Sequence, residues 1–199
     1  METAKTTSRI LKLIFKDFAT RHTVTTLSKE IGMSRWGVWK VLRKLESEKI
    51  LILSPVGSGK TSTHTISLNW ENPIVEKMLA MILTEETLKN QRWVSSFSEF
   101  EGKAKFSIIY GGILNKPKEA NDIDIVSVIS NRKNFIQIEK ITANLQKTQV
   151  KKVHSLNFTE AEFKSELKKP NKAFIDAVKK GVVLFGQDSF IRFIKGLAK

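Results

Sequence analysis

The chain has 199 residues, enough for one large domain or two small ones that each bury a core. Hydrophobic residues make up 41% and charged residues 27%, an ordinary globular balance, and the absence of cysteine excludes disulfides, thiolate metal sites and a cysteine nucleophile. The formal net charge of +14 favours a polyanionic partner, because each neutralised phosphate releases counterions, although a lysine-rich surface suited to a thermophilic or salt-tolerant host has the same composition.

Residues 8–20 (SRILKLIFKDFAT) read as an amphipathic helix, with Ile10, Leu11, Ile14 and Phe18 on one face of a 3.6-residue period. Residues 24–31 (VTTLSKEI) give a second short helix stopped by Gly32. Ser34 is a natural N-cap for a third helix running from about Arg35 to Glu48. That helix carries two stripes. Val38, Val41, Leu42 and Leu45 form a core stripe. Trp36, Trp39, Lys40 and Arg43 repeat its spacing two residues earlier, about 200° around the helix, so they face the opposite way. Two tryptophans and two cations on a solvent face suit phosphates and base edges; packing of either tryptophan against another part of the chain is the structural alternative.

After this helix, Ile50–Leu53 reads as a strand, Gly57-Ser58-Gly59 as a turn and Thr63–Leu68 as a second, alternating strand. The order of helix, helix, glycine turn, helix and β-hairpin, carried by LSKEIGMSRWGVWKVLRKLESEKILI, resembles the winged helix-turn-helix family over about residues 8–70. The resemblance implies binding of double-stranded DNA, with the third helix in the major groove and the hairpin along the backbone. It implies that Ser34, Arg35, Trp36, Trp39, Lys40 and Arg43 face DNA and that Lys60 and Thr61 at the wing tip touch phosphate. Residues 1–70 carry a net charge of +7, the same as the much longer remainder, so charge density is highest where this pattern sits. SGKTS in the same stretch imitates the end of a phosphate-binding loop, but Ser54 stands where that motif needs a glycine, and a strand rather than a helix follows.

Residues 71–91 (ENPIVEKMLAMILTEETLKNQ) read as a linker helix with Ile74, Met78, Met81 and Ile82 on one face. The helix serves either its own domain or a homodimer, since winged-helix proteins often bind two half-sites as two-fold dimers.

From about residue 92 strands alternate with helices. Residues 106–110 read as a short buried strand ending at Gly111-Gly112, and NDIDIVSVIS as a second strand. A helix over 133–148, a strand over 150–156, helices over 159–168 and 171–180, the strand VVLFG and a closing helix follow. Thr159 and Glu162 form a capping box, stapled by Phe158 and Phe163. Asp122 and Asp124 project from one strand face while Ile123 and Ile125 enter the core. Two carboxylates a strand-step apart can share a hard divalent cation such as Mg2+, and a Gly-Gly corner lets backbone amides approach a phosphate.

YGGILNKPKEANDIDIVSV is similar to the signature of the minimal nucleotidyltransferase family, relatives of polymerase β, and the later VVLFGQDSF resembles that family's tail. The resemblance covers about residues 92–199. It implies nucleotide binding at Gly111 and Gly112 and catalytic, metal-ligating roles for Asp122 and Asp124, with Mg2+ as cofactor and an NTP as partner. One departure stands out. Active members place a third carboxylate on the next strand, and here that strand reads Val150-Lys-Lys-Val-His-Ser-Leu156, with His154 or Ser155 in its place. The spacer also lacks an arginine and offers Lys116 and Lys118.

The expectation is therefore an α+β chain of two domains: a winged helix-turn-helix over 1–70, a linker helix over 71–91, and a nucleotidyltransferase-like mixed sheet flanked by helices over 92–199. Its expected role is DNA-binding transcription regulation, with the second domain catalytically reduced. The alternative is a working Mg-dependent transferase that moves a nucleotidyl group from an NTP to a protein or small molecule. No apolar run approaches the roughly 20 residues a membrane helix needs, and METAKTTSRI has no apolar stretch of the signal-peptide kind. No membrane partner is expected, and the expected address is the cytoplasm, or a nucleoid if the host has one.

Overall fold

In a computed structural model, which describes residues 2–57, 63–169 and 172–197, the first helix is longer at its start and shorter at its end than its periodicity suggests. Helix α1 (Glu2–Lys16) buries Ile10, Leu11, Ile14 and Phe15. Phe18, expected on that stripe, falls beyond the helix and is half-buried. The helix stops because the chain turns at Asp17. The Asp17 carbonyl accepts from the Thr20 amide, and its carboxylate accepts from the Thr20 hydroxyl at 2.9 Å. The same carboxylate lies 3.4 Å from the buried His22 imidazole. This turn delivers His22 into β1 (His22–Thr23), a two-residue strand too short to give any periodic signal.

Thr23 caps α2 (Val24–Ile31) through a reciprocal box with Thr26, and Gly32 closes it. Ser34 caps α3 (Arg35–Ser47) as expected, accepting from the Gly37 amide at 3.1 Å. Val38, Val41, Leu42 and Leu45 of α3 are all buried. Strands β2 (Leu51–Val56) and β3 (Thr63–Leu68) pair antiparallel from Leu51↔Leu68 to Val56↔Thr63. β1 joins the far side of β3, giving the order β1-β3-β2. Leu51, Leu53, Ile66 and Leu68 turn inward on that sheet, so three helices and three short strands share one core.

Helix α4 (Pro73–Leu88) follows. Its buried residues are Val75, Leu79, Ile82 and Leu83, whereas Ile74 and Met81 of the expected stripe are 56% and 59% exposed. IVEKMLAMIL is apolar on most sides, so its sequence period admits more than one inward face. The buried line Val75-Leu79-Leu83 continues to Thr87, which is also buried and lies 2.6 Å from the Val183 carbonyl. That polar contact goes with the inward face that the apolar pattern leaves open.

The chain divides into two compact units, Met1–Ile82 and Leu83–Leu197. Both are mixed helix and strand, each with its own sheet. In the second unit, α5 (Gln91–Ser96) and a 3₁₀ turn (Ser98–Phe100) precede β4 (Ala104–Tyr110). Then come α6 (Gly112–Asn115), β5 (Asp122–Ile129), α7 (Arg132–Thr148), β6 (Lys152–Phe158), α8 (Glu160–Lys168), α9 (Lys172–Lys180), β7 (Val182–Phe185) and α10 (Gln187–Leu197). The Thr159/Glu162 capping box forms, and the Phe158 and Phe163 rings stack at 5.7 Å between centroids.

The sheet runs β6-β5-β4-β7, with β5 and β6 parallel and the other pairs antiparallel. Its two faces hold different side chains. Ile109, Ile123, Ile125 and Ile129 pack with Trp93, Phe97, Phe100, Ile138 and Ile141. On the opposite side, Phe106 meets Phe190 and Phe193 at 5.3 Å each and Phe163 at 6.2 Å. Such edge-on and tilted contacts add to the burial of the rings themselves.

Phe106→Ala should lower the stability of Leu83–Leu197 by about 3–5 kcal/mol, because the surrounding rings cannot collapse to fill the space. Urea unfolding followed by far-UV circular dichroism will show that unit's transition at lower urea, with the Met1–Ile82 transition unmoved.

Candidate functional site

Two surfaces carry chemistry, one on each unit. The first is the outward face of α3. Trp36 is 65% exposed, a large cost in apolar area for a side chain of this size. The Lys40 ammonium sits 5.3 Å from the centre of the Trp36 ring, and the Arg43 guanidinium 5.7 Å from the Trp39 ring. Both spacings are one helical turn, so each tryptophan is paired with the cation one turn further along the helix. Arg35, Lys40 and Arg43 are exposed, and Arg43 also pairs with Glu46.

Trp39 differs from Trp36. It is half-buried, with its ring 5.5 Å from the ring of His64 on β3. One tryptophan therefore splints helix to strand, while the other projects. Ser34, placed on the same surface by sequence, spends its hydroxyl on the α3 cap. Lys60 and Thr61 lie outside the described residues.

The second surface is at the start of β5. Asp122 and Asp124 share a face there, and Ile123 and Ile125 are fully buried behind them. Pairing across the sheet sets their neighbours. β4 places Tyr110 opposite Asp124, and β6 places His154 opposite Asp124 from the other side. Tyr110, Asp124 and His154 thus form one row. The His154 Nδ1 atom lies 3.4 Å from Asp124 Oδ1 and 3.6 Å from Asp122 Oδ2. One ligand atom from each of Asp122, Asp124 and His154 falls within 4.8 Å of the others. Asp124 is 24% exposed, Asp122 and His154 40% each, so the cluster opens to solvent.

The electrostatics follow from that placement. Burial raises the Asp124 carboxyl above its ordinary value, and the neighbouring Asp122 charge adds to the rise, while the His154 hydrogen bond and charge oppose it. Burial also pushes the Tyr110 phenol up to about 12, with the charges of Asp124 and Asp122 contributing in that order.

Gly111 has a left-handed φ of +84°, and a Cβ on it would stand 2.6 Å from Asp124 Oδ2. The left-handed backbone favours glycine here, and an added Cβ would also push the Asp124 carboxylate aside. Gly112 has no such constraint; its added Cβ would meet only the Ala120 methyl at 3.6 Å. Lys116 of the spacer pairs with Glu119, and Lys118 is exposed. The Lys151 ammonium donates to the Ala120 carbonyl and anchors the approach to β5. Among the described residues no third carboxylate joins Asp122 and Asp124; His154 does.

Compared with known proteins, the chain matches no family model, no curated protein and no solved structure. Among the described residues no helix is long and apolar enough to cross a membrane.

Tyr110 is the only tyrosine in the sequence, so its ionisation can be read by ultraviolet absorbance. In metal-free protein the phenol should stay mostly protonated at about pH 11, where an ordinary tyrosine is mostly ionised. Because the folded value lies above the unfolded one, the stability linked to this group is complete below pH 10 and lost as pH rises towards about 12. Asp124→Asn should bring the ionisation to lower pH; a midpoint near 10 in the unsubstituted protein contradicts the assigned environment.

Proposed function

We propose that the chain is a DNA-binding transcriptional regulator whose first unit is a winged helix-turn-helix and whose second is nucleotidyltransferase-like. The observation that carries this reading is the outward line of α3, where an exposed Trp36 and the cations Lys40 and Arg43 stand opposite a fully aliphatic core stripe. The order α2, Gly32, α3, β2, β3 supports it, since a glycine turn between two helices followed by a β-hairpin is the element order of a winged helix-turn-helix. In this reading α3 lies in the major groove of double-stranded DNA. Arg35, Lys40 and Arg43 meet phosphates and base edges, and Trp36 supplies apolar contact. Trp39 holds the recognition helix against β3.

For the second unit, the row Tyr110–Asp124–His154 with Asp122 alongside supports a nucleotide-handling role. Two carboxylates and an imidazole make a donor set fit for a divalent cation, and the backbone of Gly111 comes close against the Asp124 carboxylate. A bound cation supplies charge neutralisation for a phosphate oxygen. In this reading Asp122 and Asp124 hold it, and the Gly111-Gly112 corner binds the nucleotide. The bland alternative for the cluster, an imidazolium paired with two aspartates, predicts neither metal nor nucleotide binding.

A working enzyme remains the second reading, favoured by the convergence of His154 on the two aspartates. Its reaction is attack of an acceptor hydroxyl on the α-phosphorus of an NTP, with pyrophosphate leaving. Incubation with each labelled NTP and a divalent cation tests it: incorporation that Asp122→Asn abolishes supports catalysis, and no incorporation with any NTP leaves the regulator reading.

DNA binding is tested by mobility shift or fluorescence anisotropy on duplexes from the gene's own upstream region. Arg43→Ala should weaken binding by about 1–3 kcal/mol, and Lys40→Ala should reduce the salt dependence by about one phosphate contact. Trp36→Ala should weaken binding while moving stability by less than about 0.5 kcal/mol, as for an exposed side chain. If no duplex is bound in a salt-dependent manner, the regulator reading fails.

A further inference from the structure

The third member of the acidic cluster decides what kind of cation the cluster suits. We infer that His154 is a metal ligand which, with Asp122 and Asp124, makes a three-ligand site selective for Zn2+ over Mg2+, with Mn2+ between them. This rests on reading Asp122 and Asp124 as a divalent-cation site, and goes beyond it by adding a ligand and naming the metal.

The donor set is the first argument. Mg2+ takes oxygen ligands almost without exception, and keeps much of its water. An imidazole nitrogen suits the later first-row cations, whose affinity for a mixed nitrogen and oxygen site rises from Mn2+ to Zn2+. Three protein ligands with one position left open is also the usual arrangement of a reactive Zn2+ site.

Distances are the second argument. Donor atoms around a tetrahedral Zn2+ at about 2.0–2.1 Å lie about 3.3–3.4 Å apart, whereas neighbouring donors around an octahedral Mg2+ at about the same bond length lie about 2.8–3.0 Å apart. His154 Nδ1 stands 3.4 Å from Asp124 Oδ1 and 3.6 Å from Asp122 Oδ2. The first edge falls within the tetrahedral spacing, the second lies about 0.2 Å beyond it, and both are longer than the octahedral spacing. The third argument is rigidity. All three ligands sit on hydrogen-bonded strands in the middle and edge of one sheet, and Asp124 and His154 are register partners. Ligands on paired strands keep their spacing better than ligands on loops. Partial exposure of all three leaves the fourth position open to water or to a phosphate oxygen.

Titration calorimetry on the full chain, stripped with a chelator, tests this with Zn2+, Mn2+ and Mg2+ each added alone. The expected result is one Zn2+ per chain, with affinity falling in the order Zn2+, Mn2+, Mg2+. His154→Ala should weaken Zn2+ by more than about tenfold while changing Mg2+ by less than about threefold, since even outer-shell partners of metal ligands contribute about 10–100-fold. His154→Asp should narrow the gap between Zn2+ and Mg2+ by restoring an all-oxygen set. Co2+ in place of Zn2+ should give the intense visible bands of a tetrahedral site, and His154→Ala should remove them. Circular dichroism of each variant checks that the fold is kept. If Mg2+ binds as tightly as Zn2+, and Asp122→Asn abolishes both while His154→Ala affects neither, the histidine inference is overturned and the cation site at the aspartates stands. If no cation binds, or Zn2+ binding survives Asp122→Asn unchanged, both are overturned.

Discussion

The register of three strands governs the chemistry of the second unit. β4, β5 and β6 are locked so that Tyr110, Asp124 and His154 face one another across the sheet. Side chains alternate along a strand, so a slip of one residue in β5 would bury both aspartates and expose Ile123 and Ile125. That slip is prevented by burial. Ile123, Ile125 and Ile129 are all at most 1% exposed, within a cluster that includes Phe97, Phe100 and Ile138. The hydrophobic core therefore specifies the position of the charged groups, and the carboxylates are held close against their mutual repulsion by apolar burial on the other face.

The same division of labour recurs in the first unit. The aliphatic stripe of α3 seats the helix, and Trp36, Lys40 and Arg43, displaced from it by two residues, are thereby turned outward. Trp39 links the two roles, because its contact with His64 fixes α3 to β3 while its neighbour Arg43 stays at the surface. In the proposed DNA-binding role this support matters, since base edges are read by side chains whose backbone does not move. The two units thus present different surfaces, a cationic aromatic line and an acidic cluster, which suit different partners. An acidic cluster repels nucleic acid phosphate unless a cation lies between them.

Much of the secondary structure was legible from the chain alone. α2, the Ser34 cap of α3, β3, and the Thr159/Glu162 box all follow local chemistry: a capping hydroxyl, a glycine stop, strict alternation. Where the expectation missed, the deciding interaction was non-local or the pattern was ambiguous. Phe18 continues the α1 stripe in sequence, but the Asp17 turn and its His22 partner end the helix first. On α4 the apolar residues surround the helix, and the buried line ends at Thr87 beside the Val183 carbonyl, a contact 96 residues away in sequence. β1 is two residues long and exists only because β3 offers it an edge.

Asp122 and Asp124 were readable as a pair by themselves, because strand alternation is a property of five consecutive residues. The exposure of Trp36, Lys40 and Arg43 was readable for the same reason, one helical period supplying both faces, whereas Trp39 packs on His64, a partner no local period shows. What the sequence left open was which of His154 and Ser155 stands beside the aspartates. His154 is 30 residues from Asp124, and nothing local distinguishes it from Ser155 beside it. The parallel pairing of β5 and β6 makes the choice, by aligning Asp124 with His154 and leaving Ser155 opposite Ile125. The sequence determined which residues could carry charge to a surface; the tertiary register decided which of them meet, because register is set by the burial of the whole sheet and not by any one strand.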